Sequence, residues 1–189
     1  TKGHACLTDD DKYISKLPES RGSLLYGELL PRGANKAFGK SHLHVSDAKI
    51  LFDLGMGTGK VALQAFLQYR NLEYVHGVEL SEGRFKVAEG YIRHMVQLLG
   101  SELYSIEVLD NGRRLVVKES TPIGGGGRKS RVLEIQCGDM FSVQNIHVAD
   151  VVMMETDVPV NLHSELCNFL NDMKPGARML SYLDLRKVW

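Results

Sequence analysis

Asp53-Leu54-Gly55-Met56-Gly57-Thr58-Gly59-Lys60 is the stretch whose reading decides the fold. It closes a short apolar run, Lys49-Ile50-Leu51-Phe52-Asp53-Leu54, of the kind a strand buried on both faces requires. It then opens a segment in which Val61, Ala62, Ala65, Phe66 and Tyr69 recur at helical spacing. Strand, glycine-rich turn and helix follow one another as in half of a βαβ unit. The glycines permit a tight turn and close approach of the backbone to a ligand. A dinucleotide fingerprint would need its third glycine at position 60, where Lys60 stands. A phosphate loop would need Ser or Thr after Gly59-Lys60, where Val61 stands, and its upstream glycine is misplaced. What remains is the pattern D-x-G-x-G-x-G.

Working outward, residues 74–80 read as a second strand and Ser81 as a helix N-cap. Phe85, Ala88, Ile92, Met95 and Leu99 make the next segment an amphipathic helix that Gly100 ends. Residues 106–109 and 115–118 flank Asp110-Asn111-Gly112, a hairpin signal, and Gly124–Gly127 follows. Residues 103–130 therefore read as an inserted hairpin and glycine-rich loop whose arginines reach outward. Strands at 132–136 and 150–155, a helix over 162–173 stopped by Lys174-Pro175-Gly176, and a last strand at 177–183 complete the pattern. A polar segment, 1–48, with a short helix near 33–38, precedes this core of 49–189. The alternation predicts an α/β fold, a doubly wound, mainly parallel, Rossmann-like sheet with helices on both faces.

Such sheets bind ligands at the carboxyl ends of their strands. Glu79 ends His76-Gly77-Val78-Glu79, where a carboxylate can accept from both ribose hydroxyls of a nucleoside. Asp139, in Cys137-Gly138-Asp139-Met140-Phe141, can accept from the exocyclic amine of adenine while Met140 packs on the ring. Any one of these acids alone is more often a loop cap or a solvated carboxylate. Their order on successive strands, together with the glycine loop, is the specific signal.

Composition narrows the classes further. The 189 residues carry 23 basic and 23 acidic side chains, so no basic excess marks a domain that binds mainly phosphates. No apolar run is long enough to span a bilayer, and the stretch Thr1–Asp11 lacks a secretory core. Three cysteines without a C-x-x-C pair imply neither a disulfide framework nor a zinc site. His163 and Cys167, four apart, read as a solvated histidine and a buried thiol, so no metal is expected. An intracellular protein is the expectation.

The glycine loop with its acids closely resembles that of the class I S-adenosylmethionine-dependent methyltransferases. Tyr26-Gly27-Glu28-Leu29-Leu30-Pro31, followed by Lys36-Ala37-Phe38, is similar to the cofactor-covering loop of the disruptor-of-telomeric-silencing family. These are non-SET histone-lysine methyltransferases that act on a nucleosome-core lysine of the third core histone. The similarity runs over about residues 25–185, through Asp53–Gly59, Gly77-Val78-Glu79, Gly138-Asp139, Ala149-Asp150-Val151-Val152 and Met173-Lys174-Pro175-Gly176-Ala177-Arg178. The resemblance implies a nuclear enzyme that binds S-adenosyl-L-methionine. Tyr26, Gly27, Glu28 and Leu29 would contact the methionine end, and Asp53, Gly55, Gly57, Gly59 and Lys60 would line its backbone side. Glu79 would hold the ribose, and Asp139 and Met140 the adenine.

The departures from the family pattern are specific. Many relatives carry glutamine or asparagine where Lys60 stands, and phenylalanine where Met140 stands. Asparagines usually follow the fourth core strand, where this chain has Glu155 and Thr156. Glu155 is either a structural acceptor or the group that meets the incoming ammonium. With Thr156 and Tyr26 it is a candidate catalytic residue. A final antiparallel hairpin, which in relatives carries a channel-lining tyrosine, is expected beyond Trp189. Arg113, Arg114, Lys118, Arg128, Lys129 and Arg131 cluster in and beside the insertion. They form a solvated face, or Arg113, Arg114, Arg128 and Lys129 touch DNA of a nucleosome substrate. Two rival readings stay open: a methyltransferase acting on RNA or a small molecule, and an inactive domain that keeps the cofactor fold to bind a partner. Against the first, Glu155-Thr156-Asp157-Val158-Pro159 is not the N-P-P-Y type of sequence suited to base amines. Against the second, every expected cofactor position is filled.

Overall fold

The computed structural model describes residues 27–120 and 130–189. In chain order these form α1 (Pro31–Phe38), β1 (Ile50–Leu54), α2 (Lys60–Gln68), β2 (Tyr74–Glu79), α3 (Glu82–Leu99), β3 (Tyr104–Leu109), β4 (Arg114–Glu119), β5 (Val132–Cys137), β6 (Val151–Met154), α4 (His163–Asn171) and β7 (Arg178–Ser181). One seven-stranded sheet runs in the order β3-β4-β5-β2-β1-β6-β7. The five strands from β5 to β7 are parallel, as chains that alternate strand and helix require.

Strand alternation divides the core into two layers. Leu51, Val75, Leu133, Ile135, Val151 and Met153 pack with Ala62 and Phe66 of α2 and with Phe85 and Ile92 of α3. Phe52, Leu54, Val78, Val152 and Met154 face the other way and pack with Leu166 and Leu170 of α4. Both faces of β1 are thereby covered, which is why its sequence is an unbroken apolar run apart from Asp53. Ser81 caps α3, its hydroxyl accepting from the Arg84 amide at 3.2 Å. Asp150 sets the other end of the sheet. It accepts from the amides of Lys49 and Ile50 at 2.6 and 2.8 Å and from the Lys174 ammonium at 2.5 Å, tying the starts of β1 and β6 together. α4 is shorter than its sequence pattern: Val160–Leu162 winds as a 3-10 turn before it, and the helix ends at Asn171.

The hairpin after α3 is part of this sheet. β4 lies antiparallel on β5, and β3 forms the outer edge. Leu115 and Val117 are fully covered and belong to the α2–α3 layer. At its tip Asp110, Asn111 and Gly112 all have left-handed backbone, which short polar residues and glycine tolerate. The expected outward array of cations does not form among the described residues. Arg114 lies 3.1 Å from Glu134, and Lys118 pairs with Glu107 at 3.0 Å. Arg131 is buried, 5% exposed, and donates to the carbonyls of Leu72 at 2.7 Å, Tyr69 at 3.2 Å and Phe66, and to Glu119 at 2.9 Å. It thereby satisfies the carbonyl end of α2, and its guanidinium lies 4.3 Å from the centre of the Phe66 ring. Arg113 is exposed and reaches the Cys137 carbonyl at 3.2 Å. Arg128 and Lys129 fall outside the described residues.

Arg131 is therefore a structural residue. Arg131→Met should leave the carbonyls of Leu72 and Phe66 without this donor and Glu119 with Arg70 alone, and cost about 3 kcal/mol or more, read as a lower midpoint in urea denaturation. A change within about 0.5 kcal/mol would remove this role.

Candidate cofactor cleft

The parallel register brings four strand ends level. Asp53 pairs with Gly77 and Met153, Leu54 with Val78, and Glu79 with Cys137. The acids at or just beyond those ends, Asp139, Glu79, Asp53 and Glu155, border one rim across β5, β2, β1 and β6. Between them runs the glycine loop, in which Gly55, Gly57 and Gly59 all have left-handed backbone, with φ of 77°, 57° and 74°. Side chains rarely adopt that conformation, so the alternation of glycines is a conformational requirement.

Space imposes a second requirement. A Cβ on Gly55 would lie 2.7 Å from the Thr156 Cβ, so the residue after Glu155 packs directly on the loop. A Cβ on Gly77 would lie 2.4 Å from the Met56 sulfur. Gly77 is thus the slot in β2 that lets Met56 seat the loop, a purpose that the sequence pattern alone does not reveal.

Glu79 locks the loop to the second strand. One carboxylate oxygen accepts from the Gly57 amide at 2.8 Å, the other from the Ser81 amide at 2.9 Å, and the Arg84 guanidinium lies 3.8 Å away. Both charged side chains are buried. Arg84 is a site residue that helix periodicity conceals, since its position reads simply as one turn of α3.

Two cavities open on either side of the loop. Glu79, Leu80, Arg84, Asp139, Met140 and Thr156 are among the residues that line one. Asp139 also caps the 3-10 turn Met140–Ser142, accepting from the Phe141 amide at 3.0 Å. Glu28, Leu29, Asp53, Thr58, Lys60 and Glu155 are among those that line the other. There the segment 27–30 lies over the glycine loop and is held by Glu28, which accepts from the Thr58 hydroxyl at 3.0 Å and from the Lys60 ammonium at 2.6 Å. Lys60, expected to line the cofactor, is engaged with this covering segment. Thr58, buried between two glycines, is a further residue of the tie that the motif did not single out. Tyr26 falls outside the described residues.

Asp53 is the most perturbed group of the cleft. It accepts from the Ala62 amide at 3.1 Å in the first turn of α2. Burial, then the charges of Glu155 and Glu79, outweigh that bond and push its carboxyl up to about 7. Burial also raises the Glu155 carboxyl above the ordinary carboxylate range. His163 and Cys167 are engaged elsewhere, His163 Nε2 with the Val158 carbonyl at 3.1 Å and Cys167 Sγ with the Val188 carbonyl at 3.4 Å. Among the described residues no helix is long and apolar enough to cross a membrane.

This cleft, on this sheet, defines a class I S-adenosylmethionine-dependent methyltransferase. The family model described as "Histone methylation protein DOT1" matches residues 15–117, more than half of the chain. The chain belongs to that family. Its fold is similar to that of an RNA methyltransferase from Salinibacter ruber in complex with S-adenosyl-L-homocysteine, with a TM-score of 0.51 and 17% identity over 82% of this chain and 76% of that one. It is also similar to Trm1 from Pyrococcus horikoshii in complex with S-adenosyl-L-methionine, with a TM-score of 0.51 and 17% identity over 84% of this chain but only 36% of that one. At such identity the likeness concerns the fold alone. No curated protein sequence matches the chain.

Asp53 ties pH to stability with a definite sign. Its folded-state value lies above the unfolded 3.8, so between 3.8 and about 7 the folded form holds the extra proton. Stability from this group is therefore lost as pH rises through that window. Asp53→Asn should raise the melting temperature of the ligand-free protein above that window and change it little below. An equal shift at both ends would exclude a buried, titrating Asp53.

Proposed function

We propose that the protein is a histone-lysine N-methyltransferase that acts on a nucleosome-core lysine of the third core histone, in the nucleus. The observation that carries this reading is the family match over 15–117, which takes in both the glycine loop and the covering segment that Glu28 ties to it.

The residues of the cleft fit S-adenosylmethionine. Glycines without Cβ leave the backbone open to close approach, and a carboxylate already fixed at Glu79 can accept further hydrogen bonds from ribose hydroxyls. Asp139 and Met140 would hold the adenine, while Gly27, Glu28, Leu29, Asp53 and the N-terminal turn of α2 would surround the methionine end. When bound, the cofactor supplies an electrophilic methyl group. The chain's own part is to position the acceptor, exclude water and let the lysine arrive as the neutral amine. Glu155 and Thr156, beside the loop at the end of β6, are proposed to border the point of transfer, with Tyr26 joining them from the covering segment. Glu155 does not serve as a strong base, because a carboxylic acid is far more acidic than an alkylammonium. In nucleosome docking, exposed Arg113 is the described residue that the hairpin contributes, with Arg128 and Lys129 close to it in sequence. Arg114 is already committed to Glu134.

The deciding experiment offers the methyl donor with intact nucleosomes, free histones and RNA in parallel, and reads products by mass spectrometry. Methylation of a lysine on the nucleosome is expected. Methylation of RNA alone, or of no macromolecule, overturns the reading. Cofactor binding has its own check: Glu79→Ala removes a charge-assisted contact and should weaken S-adenosylmethionine binding tenfold or more by calorimetry.

A further inference from the structure

The cavity beside the covering segment contains three carboxylates, Glu28, Asp53 and Glu155, and one ammonium, Lys60. Two of the acids have partners: Glu28 holds Thr58 and Lys60, and Asp53 holds the Ala62 amide. Glu155 differs. Among the described residues no donor offsets its burial, which alone sets the direction of its shift. Its charge is nevertheless felt by Asp53, which marks the two as neighbours. An unpartnered, half-buried carboxylate facing a cavity suits a ligand that brings a positive charge.

We propose that Glu155 is a specificity-determining residue that reads the charge on the cofactor's sulfur, favouring the methyl-bearing sulfonium over the neutral thioether left after transfer. The inference rests on the proposed cofactor reading and deepens it. In the transfer, the carbon–sulfur bond breaks with its electron pair going to sulfur, and a carbon–nitrogen bond forms from the amine lone pair. Positive charge passes to the amine nitrogen, which then loses a proton to water. The thioether product remains in the cavity without the charge that Glu155 attracted. A charge pair in a partly desolvated cavity is worth several times its value in water, so one lost charge changes affinity measurably. An asparagine at this position, usual in relatives by the resemblance, has no such preference to offer.

The test measures the affinities of the full chain for S-adenosylmethionine, for S-adenosylhomocysteine, and for the analogue in which a protonated amine replaces the sulfonium. The parent should bind both cationic ligands more tightly than the thioether. In Glu155→Gln and in Glu155→Asn the preference should shrink about tenfold, mainly through weaker binding of the cations. Thermal melting identifies whichever neutral variant is folded. A parent that binds the thioether as tightly as the cations overturns the inference. So does a folded neutral variant that keeps the parent's ratio. If the parent binds none of the three, the proposed function itself fails.

Discussion

The hydrogen bond from the Gly57 amide to Glu79, 2.8 Å long, is the constraint on which the cleft depends. It fixes the middle of a loop in which three residues, all glycines, have left-handed backbone and bear no Cβ. The same carboxylate receives the Ser81 amide at the start of α3. One buried acid thus joins the end of β2, the turn after β1 and the first residues of the next helix. The direction of α2, and with it the position of Thr58 and Lys60, follows from this joint. Arg84 beside it supplies positive charge to a carboxylate that burial would otherwise penalise.

Two acids of the rim, Asp53 and Glu155, work against the stability of the ligand-free fold, since burial raises both carboxyls. Four acids end adjacent strands, and at Asp53 burial, reinforced by the charges of Glu155 and Glu79, pushes the carboxyl up to about 7. Ligand sites commonly carry such frustration, which a bound ligand relieves. The Glu28 tie, by contrast, is satisfied within the chain, since it pairs the acid of the covering segment with the cation and hydroxyl closest to the loop.

The parallel core and the loop were legible in the sequence because both rest on local rules. Apolar runs mark β1 and β6, Ser81 and Gly100 bound α3, and the glycines exclude two of the three nucleotide-binding patterns that they superficially share. What escaped depends on contacts between residues distant in the chain. Arg131 looks like one of several exposed cations, and only the folded chain brings it to the carbonyls at the end of α2, some sixty residues earlier. Lys60 stands where a cofactor contact is expected, yet its partner lies thirty-two positions away. The hairpin is legible from its turn, Asp110-Asn111-Gly112. Its place against β5 as part of the sheet is not, because hairpin patterning does not specify which strand edge it meets.

That placement has a kinetic consequence. β3, β4 and β5 are consecutive in the chain and adjacent in the sheet, so their pairing closes comparatively short loops. β1 and β6, by contrast, meet through contacts a hundred residues apart, including the Asp150 bonds. Local pairings have the smaller entropic barrier, so the β3–β5 meander closes at lower cost than the pairing of β1 with β6. The acidic rim is completed only when β6 docks on β1. The cleft thus depends on the strand pairing with the largest sequence separation in the sheet, the one whose closure costs the most chain entropy.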